Sequence, residues 1–146
     1  MREFEYFLNS GDVKIVHKNK ILAEALVFDS DDRFRFLLTI EFNETNSRYI
    51  VENSYDIIRA LIEANLALED YKSYSHEATI AFLKRFIEFR DSELNYLDDL
   101  RKVRHGIKYN AGTTTSHDAE KVLEFTKTMK EKLKRIIKNN LQYEIN

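Results

Sequence analysis

Arg48–Tyr71 reads RYIVENSYDIIRALIEANLALEDY. Ile50, Val51, Ser54, Ile57, Ile58, Leu61, Ile62, Leu66 and Leu68 return at steps of about three and four residues, the period of one helical face. Ala60, Ala64 and Ala67 sit among them and permit close packing. The spacing predicts a helix from about Arg48 to Tyr71, with Ser47 as its N-cap and the polar run Asn43-Glu44-Thr45-Asn46-Ser47 as the break before it. A long amphipathic helix gains its stability from partners that cover its stripe, so the flanking segments are read for further helices.

Upstream, from Asn19 to Phe42, the residues Leu22, Ala23, Leu26, Val27, Phe34, Leu37 and Leu38 keep a helical period. Ser30 falls on that stripe, and a turn at Asp29-Ser30-Asp31-Asp32 would split the segment into two helices. Phe34, Phe36, Leu38, Ile40 and Phe42 also alternate as a strand does, but no neighbouring stretch offers a partner strand, and the helical reading is preferred. Residues 1–18 carry Phe4, Tyr6, Phe7, Val13, Ile15 and Val16 around Gly11, and read as short extended pieces or docked coil. Downstream, Lys72-Ser73-Tyr74 is a short connector and Ser75 an N-cap. The helix that follows is expected to run from His76 to Arg90 and to bury Ile80, Phe82, Leu83, Phe86 and Ile87. Asp91 or Ser92 starts the next, which places Leu94, Leu97, Leu100, Val103 and Ile107 on one face. Asn110–Thr115 is the clearest loop, and Ser116 caps a last helix from His117 to about Leu141, with the final residues free to fray. Short connections make successive helices antiparallel. The fold class is therefore all-α, an up-and-down bundle of about five helices, in a single domain over 1–146 with 1–18 as an N-terminal extension.

Composition agrees. The 146 residues contain no proline and three glycines, and 43% are apolar against 33% charged, the balance of a globular chain with uninterrupted helices. Ten Phe and eight Tyr suggest a thick core. With no cysteine there is neither a disulfide framework nor a thiolate metal site. No apolar run reaches the roughly 18 residues a membrane span needs, and Arg2-Glu3-Phe4-Glu5 does not begin a signal peptide; the expected location is cytoplasmic. The net charge of −2 confines any nucleic-acid contact to a local patch. Glu-x-x-His pairs, a phosphate-binding GxxxxGK loop, a GxGxxG fingerprint and a GxSxG elbow are all missing. No metal or cofactor is called for.

One stretch carries candidate chemistry: Leu100-Arg101-Lys102-Val103-Arg104-His105-Gly106-Ile107-Lys108-Tyr109. Arg104 offers a fixed charge and a planar fork of donors suited to phosphate. Imidazoles move protons near neutral pH, and Arg101 and His105, four apart, share a helical face. Gly106 removes a side chain where another backbone or a nucleotide can approach. A plainer account stands beside this one. Helix C-termini attract cations through the dipole, and Asp98 and Asp99 are close enough in sequence to pair with Arg101, Lys102 and Arg104. His76 is read as a junction hydrogen-bonding residue and His117 as solvent-facing. The last helix carries Lys121, Lys127, Lys130, Lys132, Lys134, Arg135 and Lys138, which border a nucleic-acid groove or cover a solvated face.

The stretch resembles the signature of the HEPN superfamily (higher eukaryotes and prokaryotes nucleotide-binding domains), an arginine, a polar residue, three variable residues and a histidine near the end of the penultimate helix. Arg104 matches the arginine and His105 the polar position, while Tyr109 stands where the histidine is expected. Leu68-Glu69-Asp70-Tyr71-Lys72-Ser73-Tyr74-Ser75-His76-Glu77-Ala78 resembles the helix junction of small archaeal-type members, and Tyr55, Arg59 and Ala60 fit the same pattern. The resemblance spans about residues 19 to 138. It implies a homodimer whose two motifs line one cleft, metal-independent ribonuclease chemistry in active members, and in many cases a toxin–antitoxin pairing with a small nucleotidyltransferase. Carried onto this chain, it makes Arg104, His105 and Tyr109 the catalytic candidates and Arg101, Arg104 and Lys108 the nucleotide- or RNA-binding ones. Tyrosine is a poor base at pH 7, so RNA or nucleotide binding with weak or lost cleavage is expected. The alternative is a helical protein–protein interaction module whose motif only closes a helix; Arg104 locked to Asp98 or Asp99 would favour it.

Overall fold

The computed structural model describes residues 1–105 and 116–145, with the backbone alone for residue 116 and residues 142–145. In chain order these form α1 (Phe4–Ser10), β1 (Val13–Ile15), α2 (Lys20–Leu37), α3 (Ser47–Leu68), β2 (Tyr71–Ser73), α4 (His76–Ala81), a 3-10 turn (Phe82–Arg85), α5 (Asp91–Arg104) and α6 (Ser116–Ile145). The all-α bundle is thus present, with one small sheet on its edge.

α3 is the centre. Fifteen of its 22 residues are buried, far more than a single stripe, because α2 and α6 both pack along it and α5 and α4 add further contacts. The start of α2 meets the end of α3, where Asn19 N donates to Ala67 O at 3.1 Å, so the two helices run antiparallel. Asn65, fully inside, donates from Nδ2 to its own Leu61 O at 3.0 Å and across to Leu133 O of α6 at 3.4 Å. What α3 leaves toward solvent is one largely polar stripe: Arg48, Tyr49, Glu52, Asn53, Asp56, Arg59 and Glu63.

Several boundaries differ from expectation. The helix starts at Ser47, which is buried; Asn46 takes the N-cap position. α2 is a single helix through Asp29–Asp32, capped by Asn19 Oδ1 accepting from Leu22 N at 3.0 Å, and it ends at Leu37. The strand reading of Phe34–Phe42 therefore fails. Residues 1–18 hold a helix, a left-handed Gly11 (φ 87°) that ends it, and a strand. That strand finds its partner in the supposed connector: Val13 pairs with Ser73, Lys14 with Lys72 and Ile15 with Tyr71, antiparallel. The ladder is prolonged by Val16 N to Asp70 O at 2.8 Å and Tyr74 N to Asp12 O at 2.7 Å, and Phe4, Phe7 and Val13 enter the main core.

The helix expected over His76–Arg90 stops at Ala81 and tightens into the 3-10 turn. Phe82, Phe86 and Phe89 pack edge to face in sequence, with centroids 5.3 and 6.4 Å apart, and Phe86 is extended. Phe82, Phe86 and Phe89, at i, i+4 and i+7, would share one face of an α-helix as well; here they keep that contact across an extended residue while Ile87 turns outward, at 95% exposure. Ser75 caps α4 as expected, its Oγ accepting from Ala78 N at 3.3 Å. α5 begins at Asp91 and buries Leu94, Leu97 and Leu100, with Val103 half-buried. Ile107 and the loop 110–115 lie outside the described residues.

The basic side of α6 is largely spoken for. Lys132 Nζ sits 2.7 Å from Glu93 of α5, and Lys134 and Lys130 lie 3.0 and 3.3 Å from Asp31 of α2. These pairs fasten α6 to its neighbours. No helix among the described residues is long and apolar enough to cross a membrane.

Glu93, 6% exposed, also accepts from the Arg90 amide at 2.9 Å. Burial raises its pKa, but the Arg90 amide and Lys132 outweigh burial and hold it below the usual 4.5. Its contribution to stability is complete above the unfolded value and fades as pH falls through the depressed folded value. Glu93→Gln is expected to lose about 1–3 kcal/mol at pH 7 in urea titrations, with the gap to wild type closing in acid.

Candidate functional site

The stripe on α3 is walled by the segment from His76 to the end of α5. Ser75 caps α4 and sets His76 against Tyr55 of α3, Nδ1 to the phenol oxygen at 3.3 Å. α5 ends at His105, whose Nδ1 lies 2.7 Å from Arg101 O. A carbonyl only accepts, so Nδ1 carries the proton and, in the neutral ring, Nε2 keeps its lone pair. The two imidazoles meet edge to face, centroids 4.4 Å apart. One turn-end therefore brings together two rings that are 29 residues apart in the chain.

Arginines surround them. Arg104 Nε lies 3.3 and 3.4 Å from the two oxygens of Asp56 on α3. Arg101, only 12% exposed, binds Asp98 at 2.8 Å and reaches Glu77 at 3.7 Å. Lys102 shares Asp98 at 3.3 Å. Arg59 buries its Nε without a hydrogen bond, Glu63 being 3.8 Å away.

Burial holds Tyr55 up, to about 12, against the pull of Arg59 and Arg101. The phenol stays protonated and can donate to His76 Nδ1, leaving the His76 proton on Nε2. Burial also lowers the His76 pKa from 6.5, and the neighbouring His105, Arg59 and Arg101 push it the same way, against Asp56. The cations around His76 thus disfavour its protonated form. An anion placed there would relieve that repulsion.

The residues read from sequence fare unequally. Arg104 and His105 are exposed and lie at one site, on the edge of the α3 stripe. Arg104 reaches across to Asp56 and is not locked to Asp98, whose partners are Arg101 and Lys102. Arg101 is close by but already holds two carboxylates. Lys108 and Tyr109 lie outside the described residues. His76 makes its junction hydrogen bond, and its contact with His105 is new; the adjoining Ser-His-Glu run was the only sequence signal. Asp56 was missed altogether. His117 is exposed, as expected. Among the described residues no three imidazoles or carboxylates converge as a metal-ligand set.

No family model, no curated protein and no solved structure matches the chain.

His76 is expected to titrate below 6.5 in an NMR pH series. Because the unfolded ring takes up its proton first, stability should fall as pH drops through 6.5 and level off once the folded ring is protonated too. His76→Gln should flatten that slope between pH 7 and 5; a His76 resonance titrating above 6.5 would contradict the assignment.

Proposed function

We propose that this chain is a HEPN-like protein that binds RNA or nucleotide phosphate at Arg104, with His105 and His76 beside it, and that it cleaves RNA weakly or not at all. The observation that carries the reading is the edge-to-face contact of two imidazoles, one of them next in the chain to the exposed Arg104. An exposed arginine presents several donors to a phosphate oxygen pair, and a neutral His76 gains a proton favourably once an anion offsets the surrounding cations.

The same geometry argues for weak chemistry. Transfer of a 2′-hydroxyl onto its neighbouring phosphate needs a base on one side and an acid on the other. Among the described residues the two imidazoles meet at one place, which supplies one side only. In this reading Tyr109 takes the place of the family histidine and contributes a hydrogen bond at most. The protein acts in the cytoplasm as a homodimer, with a small nucleotidyltransferase as partner in a toxin–antitoxin pair.

A second reading, a helical interaction module, draws on the Arg104–Asp56 pair, which leaves the site electrically matched without any ligand. Binding and cleavage assays separate the two. Arg104→Ala is expected to weaken RNA binding about tenfold or more and to reduce the slope of affinity against salt by about one, with light scattering showing two copies per particle. Robust Arg104-dependent cutting would overturn the weak-cleavage part. A wild-type monomer indifferent to RNA and to nucleotides would favour the interaction module.

A further inference from the structure

The stripe on α3 does not end at Asp56. Asn53, three residues earlier and about 4.5 Å along the axis, lines a cavity of about 550 Å³ between α3 and the end of α2, together with Asp32, Arg33, Arg35, Phe36 and Thr39. Phe36 is 65% exposed, a large ring left uncovered beside polar groups of both kinds. Arg33 is tied to Asp29 at 2.8 Å and Arg35 to Asp32 at 3.4 Å. Each guanidinium has five donors, so most remain for a ligand. The Asp32 carboxylate makes the cavity a poor home for a second phosphate and a good one for a neutral group that presents both donors and acceptors.

We propose that this cavity binds a nucleobase, stacked on Phe36 with its edge toward Asp32, Arg33, Arg35 and Asn53, and that the ligand of the site is single-stranded RNA lying along α3 from Phe36 to Arg104. The inference rests on the phosphate-binding reading above and deepens it. A base with a ring face and a hydrogen-bonding edge matches an exposed aromatic flanked by mixed polar groups, and such stacking tolerates any base. Asn53 lines the Phe36 cavity and Asp56, next on the same exposed stripe, faces Arg104, so a single strand laid along the stripe can meet both. A duplex, with its bases already stacked, cannot do so.

The test compares wild type, Phe36→Ala and Arg104→Ala against three probes: adenosine monophosphate, a six-nucleotide single-stranded oligoadenylate, and an RNA duplex of equal length. Phe36 is exposed, and matching melting curves would confirm that its variant folds. Phe36→Ala should lower hexamer affinity by about fivefold to a hundredfold, the range for a lost stacked base. The chain has no tryptophan, so Phe36→Trp adds a single reporter whose emission the hexamer should quench and inorganic phosphate should not. Unchanged hexamer affinity in Phe36→Ala, with Arg104→Ala still impaired, overturns the base site and leaves the phosphate reading standing. Equal binding of duplex and single strand also overturns it. A wild type that binds none of the probes overturns both.

Discussion

The burial of fifteen of the 22 residues of α3 governs where everything else goes. Ile57, Ile58 and Leu61 are fully enclosed, and each such side chain contributes about 1.5–3 kcal/mol. The exposed ion pairs on the surface are worth about 0–1 kcal/mol each, so packing around α3 dominates. α2, α6, α5 and α4 are all recruited to cover it. The only part of α3 left uncovered is the stripe that runs from Arg48 to Glu63, and its polarity is the reason it is left. The candidate chemistry sits on that stripe because a fully wrapped helix has nowhere else to meet solvent.

Much of this arrangement was legible in the residues. The period of α3 and α5, the Ser75 cap and the start of α5 at Asp91 depend on local chemistry, and local chemistry is what a sequence displays. Pairings between distant segments are different. Val13–Ile15 and Tyr71–Ser73 are each three residues long, too short to announce a strand, and each exists because the other is there. The early end of α4 at Ala81 was equally invisible, since Phe82, Phe86 and Phe89 keep the spacing of a helical face and nothing in the local sequence opposes a helix there. The carboxylate facing Arg104 was likewise assigned to its neighbours in sequence, Asp98 and Asp99. Asp56 is 48 residues away and becomes its partner only when α5 lies against α3.

The site itself was half visible. Arg104 and His105 stood out because a guanidinium fork beside an imidazole suits a phosphate. His76 did not, since a histidine after a serine cap has an ordinary structural use. Its role changes once His105 is set 4.4 Å away, a distance that depends on the tight turn after α4 as much as on either residue.

That turn also bears on how the site can accept a ligand. Among the described residues every cation near the histidines faces a carboxylate: Arg104 has Asp56, Arg101 and Lys102 have Asp98, Arg59 has Glu63. These pairs are not equal. Asp98 receives a short bond from a largely buried Arg101, whereas Asp56 faces an exposed Arg104 at 3.3 Å, an interaction of little net worth in water. The Arg104–Asp56 pair is therefore the one that an anion would open most easily, while the buried Arg101–Asp98 pair would stay closed. Asp56 also acts on His76, where its charge favours the imidazolium against His105, Arg59 and Arg101. One aspartate on the central helix thus bears on both the exposed guanidinium and the histidine.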